Sequence, residues 1–204
     1  MLIIGLTGGI ACGKSAVSFE LKKLGAKILD IDTVTHELLE PEGRLFDTYV
    51  QHFGKYIVSG DGNLNKKIIG EIIFNHPEER AWINSVAHPI LLNAARDFLE
   101  NCAAEGVEIA VVEVPLLFEA GWEHLFDEIW AVYVGRAQQI WRLVQRDNLS
   151  QQQAIARINS QMPQDKLCEL ADVVINNKKN IARTRKQVRA ALNGRLVRGR
   201  SFVY

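Results

Sequence analysis

The sequence predicts an α/β fold, a parallel sheet whose helical crossovers are interrupted by one long helical insertion. Short apolar runs of strand character at 2–6, 26–32, 107–114, 128–134 and 171–177 are separated by segments of helical periodicity, the pattern of parallel strands joined by helices. The first run leads through a glycine-rich loop into a helix, Gly8-Gly9-Ile10-Ala11-Cys12-Gly13-Lys14-Ser15. The second and third runs lie roughly seventy residues apart, where a crossover needs only about a dozen.

The glycine-rich loop reads G-x-x-x-x-G-K-S, and its setting between strand and helix is that of a phosphate-binding loop. Glycines let successive N–H groups turn inward around an anion, and the helix N-terminus adds partial positive charge. Lys14 is expected to reach the β- and γ-phosphates of a nucleotide, and the Ser15 hydroxyl to ligate Mg²⁺.

The bulk composition excludes several classes. Lys+Arg and Asp+Glu balance at 24 each, so no global field draws the chain to nucleic acid or membranes. No apolar run approaches a membrane span, and with the first strand beginning at once no signal peptide is expected. Cys12, Cys102 and Cys168 are odd in number and far apart. They make neither a zinc pattern nor a disulfide framework, which suits a reducing cytoplasm.

Along the chain, Val17, Leu21 and Leu24 stripe a first helix that Gly25 closes, as glycine does at helix ends. The run Ala26 to Asp32 alternates as a strand, which would point Asp30 and Asp32 the same way at its carboxyl end, where open parallel sheets bind ligands. Solvation or helix capping is the alternative for this pair. From Thr33 to Glu105 helical periodicity dominates, broken by Pro41-Glu42-Gly43, Ser59-Gly60-Asp61-Gly62-Asn63 and Asn75-His76-Pro77. His88-Pro89 is expected to begin the last long helix of this insertion, with Pro89 in its first turn. The central strand 107–114 ends near Glu113, where such proteins place a carboxylate that organises Mg²⁺ through water. The segment Arg136 to Asp147 forms a helix with Arg142 and Arg146 on one face. Ser150 to Gln153 is a capping box opening a helix that carries Arg157. Arginines on a mobile helical hairpin suit phosphoryl transfer, where they neutralise charge and exclude water; a solvated basic face is the alternative. A final helix is expected over 180–192, with Arg195, Arg198 and Arg200 on a frayed tail.

Taken together, Gly5-Leu6-Thr7-Gly8-Gly9-Ile10, Asp30-Ile31-Asp32, Phe53-Gly54, His88-Pro89, Pro115-Leu116-Leu117-Phe118-Glu119, Gln161 and Ala171 to Asn177 resemble the dephospho-CoA kinase family over nearly the whole chain. The resemblance implies a P-loop NTPase-type three-layer fold with a five-stranded parallel sheet: core 1–32, 106–135 and 166–204, a helical CoA-binding insertion at 33–105, and a lid at 136–165. It implies that ATP phosphorylates the ribose 3′-hydroxyl of dephospho-CoA. Asp32 would be base to that hydroxyl, acting with Lys14 and Arg142. Gly9, Ala11, Cys12, Gly13, Lys14, Ser15, Ala16, Arg146 and Asn176 would bind ATP, with Asn176-Asn177 near the adenine and Ser15 on Mg²⁺. Thr7, Asp32, His88 and Leu116 would meet the acceptor. The expected partners are these small molecules alone, for a cytoplasmic monomer or weak homo-oligomer.

Departures from the family pattern carry expectations of their own. Ala11 stands where glycine is usual, so an ordinary backbone with negative φ is expected there. Ala16 lacks a hydroxyl near the α-phosphate. Glu113 stands where aspartate is common, which leaves its metal role open. Cys12 at a helix N-terminus is expected to have a lowered pKa, so that its alkylation blocks ATP binding. A kinase for another small acceptor, such as a nucleoside monophosphate, remains a rival reading. A guanine-nucleotide switch fits poorly, because Asn177-Lys178-Lys179-Asn180 ends in an amide where guanine recognition needs a carboxylate.

Overall fold

The computed structural model describes residues 1–199, apart from the side chains of Phe74 and of residues 195–199. The strands β1 (Leu2–Thr7), β2 (Lys27–Asp30), β3 (Ile109–Glu113), β4 (Glu128–Tyr133) and β5 (Val173–Asn176) form a sheet in the order β2-β3-β1-β4-β5. The pairs β1–β3, β1–β4 and β4–β5 are parallel. The chain leaves β1 for one edge of the sheet and later returns to its other side. The carboxyl end of β1, between β3 and β4, is therefore the switch point at which open α/β sheets bind ligands.

Burial follows from this order. Every residue of β3 is buried, as a central parallel strand covered on both faces requires. Ile4, Leu6, Val111, Trp130 and Val132 join Val17 and Leu21 of α1 (Lys14–Lys23) in one core. Each such side chain contributes about 1.5–3 kcal/mol by leaving water. Gly25 follows α1 with φ +93°, the left-handed conformation that ends helices.

The chain falls into two compact units, Met1–Leu29 with Leu99–Tyr204, and Asp30–Phe98. The second contains α2 (Ile31–Leu38), α3 (Phe46–Phe53), α4 (Lys66–Asn75) and most of α5 (Pro77–Ala104). Two local expectations change here. The strand β2 stops at Asp30, whose side chain accepts from the N–H of Asp32 at 3.0 Å and caps α2. Asp30 and Asp32 therefore do not share a strand face. Likewise His88-Pro89 does not begin a helix. Pro77 takes that first-turn position and Pro89 lies inside α5. Pro89 cannot donate to the carbonyl of Ser85, yet Ile83, Ala87, Leu91 and Ala95 are buried at every fourth residue across it. That stripe of burial outweighs the lost hydrogen bond. Within the same unit His52 stacks on Trp82 at 3.6 Å and Tyr49 meets Trp82 at 5.7 Å. Burial pushes the Tyr49 hydroxyl up to about 12.

In the first unit, α6 (Arg136–Asp147), α7 (Gln151–Asn159) and α8 (Gln164–Leu170) precede β5. The Ser150 hydroxyl accepts from the N–H of Gln153 at 3.2 Å, and the Gln153 side chain accepts from that of Ser150 at 2.9 Å, the expected capping box. The last helix, α9 (Ile181–Gly199), runs past the expected end at Leu192. The side chains of Arg195 and Arg198, and Arg200 altogether, lie outside the described residues. Among those residues no helix is long and apolar enough to cross a membrane.

Candidate active site

The phosphate loop leaves β1 between β3 and β4 and is shaped by three residues with positive φ, Gly8 (146°), Ala11 (60°) and Gly13 (90°). A Cβ on Gly8 would stand 2.6 Å from the carbonyl of Val132, and one on Gly13 would stand 2.3 Å from Asn177 Nδ2. Only glycine fits both places. Ala11 overturns the expectation of an ordinary backbone there. It adopts the left-handed conformation that costs an L-residue roughly 1–2 kcal/mol, and its surroundings hold it. The Arg142 guanidinium donates to the carbonyls of Ala11 and Cys12, each at 3.1 Å. Ile10 and Ala11 also pack on the small core of Leu143, Ala154 and Ile158 in the α6–α7 hairpin.

Gly13 caps α1 without a side-chain hydrogen bond, and the first turn carries no acidic residue. The leading N–H groups of α1 are thus left for an anion. Lys14 folds back over the loop, its Nζ donating to the Gly8 carbonyl at 3.2 Å. Ser15 is exposed at the mouth of the loop. One turn further, the Ser18 hydroxyl donates to Glu113, which is buried at the end of β3. The Ser15 hydroxyl and the Glu113 carboxylate that Ser18 bonds are hard oxygen donors, the type Mg²⁺ takes alongside substrate phosphates.

Cys12 corrects a second expectation. It is 1% exposed and belongs to the main apolar core. Burial pushes its thiol up, against the weaker downward pull of Lys14 and Arg142. For a thiol buried this deeply, the cost of desolvating the thiolate outweighs both the helix N-terminus and the nearby cations.

This geometry is a nucleotide-phosphate cradle at the switch point of a parallel sheet. The sequence model of the dephospho-CoA kinase family matches residues 2–183. The chain belongs to the dephospho-CoA kinase family. A dephospho-CoA kinase of Carboxydothermus hydrogenoformans is 41% identical over 91% of this chain and 90% of its own length. One from Streptococcus pneumoniae (strain R6) is 41% identical over 94% and 95%. The solved dephospho-CoA kinase of Campylobacter jejuni superposes with a TM-score of 0.68 at 27% identity, covering 94% and 95% of the two chains. A Thermus thermophilus crystal structure reaches 0.80 at 26% identity, covering 96% and 97%. The family's reaction is ATP-dependent phosphorylation of dephospho-CoA in coenzyme A biosynthesis.

Within this dephospho-CoA kinase fold, several expected contacts are spent elsewhere. Arg142 is engaged by backbone: besides the two loop carbonyls, its guanidinium donates to the Asn177 carbonyl at 3.2 Å. Arg146 makes a two-point pair with Asp147 at 2.7 and 3.0 Å, and Arg157 joins the same carboxylate at 3.3 Å. The Asp147 carboxyl is held below the usual range, first by the hydrogen bond from Arg146. Arg146 is thus part of the hairpin's own charge pairing. Asn176 is exposed and turns its side chain to the N–H of Lys178 at 3.0 Å. Its neighbour Asn177 is buried and reaches the loop. Thr7 is wholly buried and donates to the Pro115 carbonyl at 3.2 Å, so it ties β1 to the turn after β3 and offers no surface to a ligand. Leu116 in that turn is 44% exposed. Asp32 and His88 belong to the unit Asp30–Phe98, Asp32 exposed in the first turn of α2 and His88 half-buried in the middle of α5.

Gln139 and Thr184 carry no signal of a loop-binding role in the sequence motifs, and Gln161 enters them only as a motif residue. Gln139 Nε2 donates to the Ile10 carbonyl at 2.9 Å, and Gln161 Oε1 accepts from the Ile10 N–H at 2.8 Å. Thr184 donates to Asn177 at 2.8 Å. The spacing of Gln139 and Arg142, one turn apart on α6, was the available signal for the first of these. Beside them lies a cavity of about 320 Å³ lined by Gly9, Val134, Arg136, Gln139, Gln161 and Gln164.

Proposed function

We propose that the chain transfers the γ-phosphoryl group of ATP to the ribose 3′-hydroxyl of dephospho-CoA. The observation that carries this is the loop itself, in which Lys14 and the uncapped start of α1 converge on one concave backbone. Family membership supplies the acceptor. In this reading Gly9, Ala11, Cys12, Gly13 and Ala16 contribute backbone to the cradle, with Lys14 on the β- and γ-phosphates. Ser15 would hold Mg²⁺, with Glu113 acting through water. The metal would neutralise phosphate charge as it develops.

Asp32 is assigned as base to the attacking hydroxyl. In a loose transition state the hydroxyl loses its proton late, so Asp32 serves more by orientation than by basicity. The insertion 33–105 is assigned to the acceptor. Support comes from a cavity of about 680 Å³ within it, whose lining combines Leu39, Leu64 and Ile73 with Lys66 and Lys67, and with Glu40 and Asp61. Such a lining suits an acceptor with a long arm and a diphosphate. His88 and Leu116 are assigned to the same substrate. The hairpin at 136–165 is assigned as the lid, and Asn176 to the adenine end of ATP. A cytoplasmic monomer or weak homo-oligomer is the working form we assign.

The test is product identification. Incubated with ATP, Mg²⁺ and dephospho-CoA, the chain should yield a product heavier by one phosphoryl group, with phosphorus NMR placing it on the 3′-oxygen. A product phosphorylated elsewhere would overturn the assignment.

A further inference from the structure

The carbonyls of Ile10, Ala11 and Cys12 are all held from the same side. Gln139 Nε2 donates to the first at 2.9 Å, and Arg142 Nη1 to the second and third at 3.1 Å. Asn177 Nδ2 also reaches the Cys12 carbonyl, at 2.8 Å. A trans peptide is planar and points its C=O and its N–H in opposite directions. Pinning the Cys12 carbonyl toward Asn177 therefore turns the Gly13 N–H the other way, into the cradle. The Cys12 N–H is used within the loop, donating to the Gly9 carbonyl at 3.2 Å.

The pin is itself fixed. Asn177 is 6% exposed and Thr184 is 1% exposed. The Thr184 hydroxyl donates to Asn177 Oδ1 at 2.8 Å, and the Cys12 carbonyl can only accept. Together these leave the amide a single orientation, with its nitrogen on the loop. The Arg142 bond to the Asn177 carbonyl closes the ring between loop, α6 and the segment after β5. The bonds these groups make run to backbone of the loop and to one another.

We infer that Asn177, seated by Thr184 and joined by Arg142, is a positioning residue that aims the Cys12–Gly13 peptide at the diphosphate of the nucleotide and does not read its base. This rests on the phosphate-loop reading above. The test measures binding of ADP, GDP and inorganic pyrophosphate to the full chain by calorimetry. Wild type is compared with Asn177→Asp, which keeps the shape but cannot donate, and with Thr184→Val. Asn177→Asp should weaken all three ligands by one common factor of about tenfold or more, leaving the ADP-to-GDP ratio unchanged. Thr184→Val should show the same pattern to a smaller degree, and it carries the test should Asn177→Asp fail to fold. Unchanged pyrophosphate affinity with an altered ADP-to-GDP ratio would make Asn177 a base reader and overturn the inference. So would a lowered melting temperature with all three affinities intact. Wild-type protein that binds neither ADP nor pyrophosphate would refute the phosphate-loop reading itself, a distinguishable result.

Discussion

Asn177 Nδ2 lies 2.8 Å from the Cys12 carbonyl, across 165 residues of chain. The bond joins the segment after the edge strand β5 to the loop after the central strand β1. At Ala11, two residues from Gly13, a left-handed backbone with φ of 60° is held by Arg142 on its carbonyl.

Ala11→Gly should relieve strain of roughly 1–2 kcal/mol, partly offset by the greater freedom of an unfolded glycine, about 0.5–1 kcal/mol. Chemical denaturation should therefore show unchanged or slightly higher stability. Ala11→Val, β-branched at positive φ, should be clearly destabilised. Loss of more than about 1 kcal/mol in Ala11→Gly would contradict this account of the loop.

Lys14→Ala removes the amine poised over the cradle at the Gly8 carbonyl. A preorganised donor to transferring phosphate is worth roughly 10²–10³ in kcat. Steady-state kinetics should show a loss of that size with the fold intact by circular dichroism.

Asp32→Asn keeps the shape of the side chain and removes its basicity. A drop of at least about a hundredfold in kcat is expected, with ATP affinity retained. Near-normal turnover would remove Asp32 from the mechanism.

The buried Cys12 thiol and the Tyr49 hydroxyl both have raised pKa values in the folded chain. The native state thus holds protons that the unfolded state releases, so stability is full below the unfolded values and falls as pH rises. Ionisation of unfolded cysteine sets the onset near pH 8.5 and that of tyrosine adds to it from about pH 10, continuing to about 12 for Tyr49. Cys12→Ala should flatten the first part of this decline in urea titrations. Native protein should also react with iodoacetamide at Cys12 only as fast as it opens.

How much of this was legible beforehand follows from what each residue depends on. Gly13 and the capping box at Ser150 are readable because their roles are local: a backbone angle and a reciprocal pair of hydrogen bonds. Asp32 reads as a strand residue because apolar alternation continues through Ile31, which is buried equally well at the start of α2. Pro89 reads as a helix start because local rules do not include the stripe from Ile83 to Ala95. The arginines of α6 were the least legible. Arg142 is committed to loop carbonyls and Arg146 to Asp147, and those partners are set by tertiary packing.

The most direct test of the phosphoryl transfer proposed above is the initial rate of ADP release from ATP and Mg²⁺ with purified protein, comparing dephospho-CoA with AMP, CMP and pantothenate. The account predicts turnover with dephospho-CoA alone. Turnover with another acceptor and none with dephospho-CoA would contradict it, leaving the phosphate loop in place and the insertion misassigned.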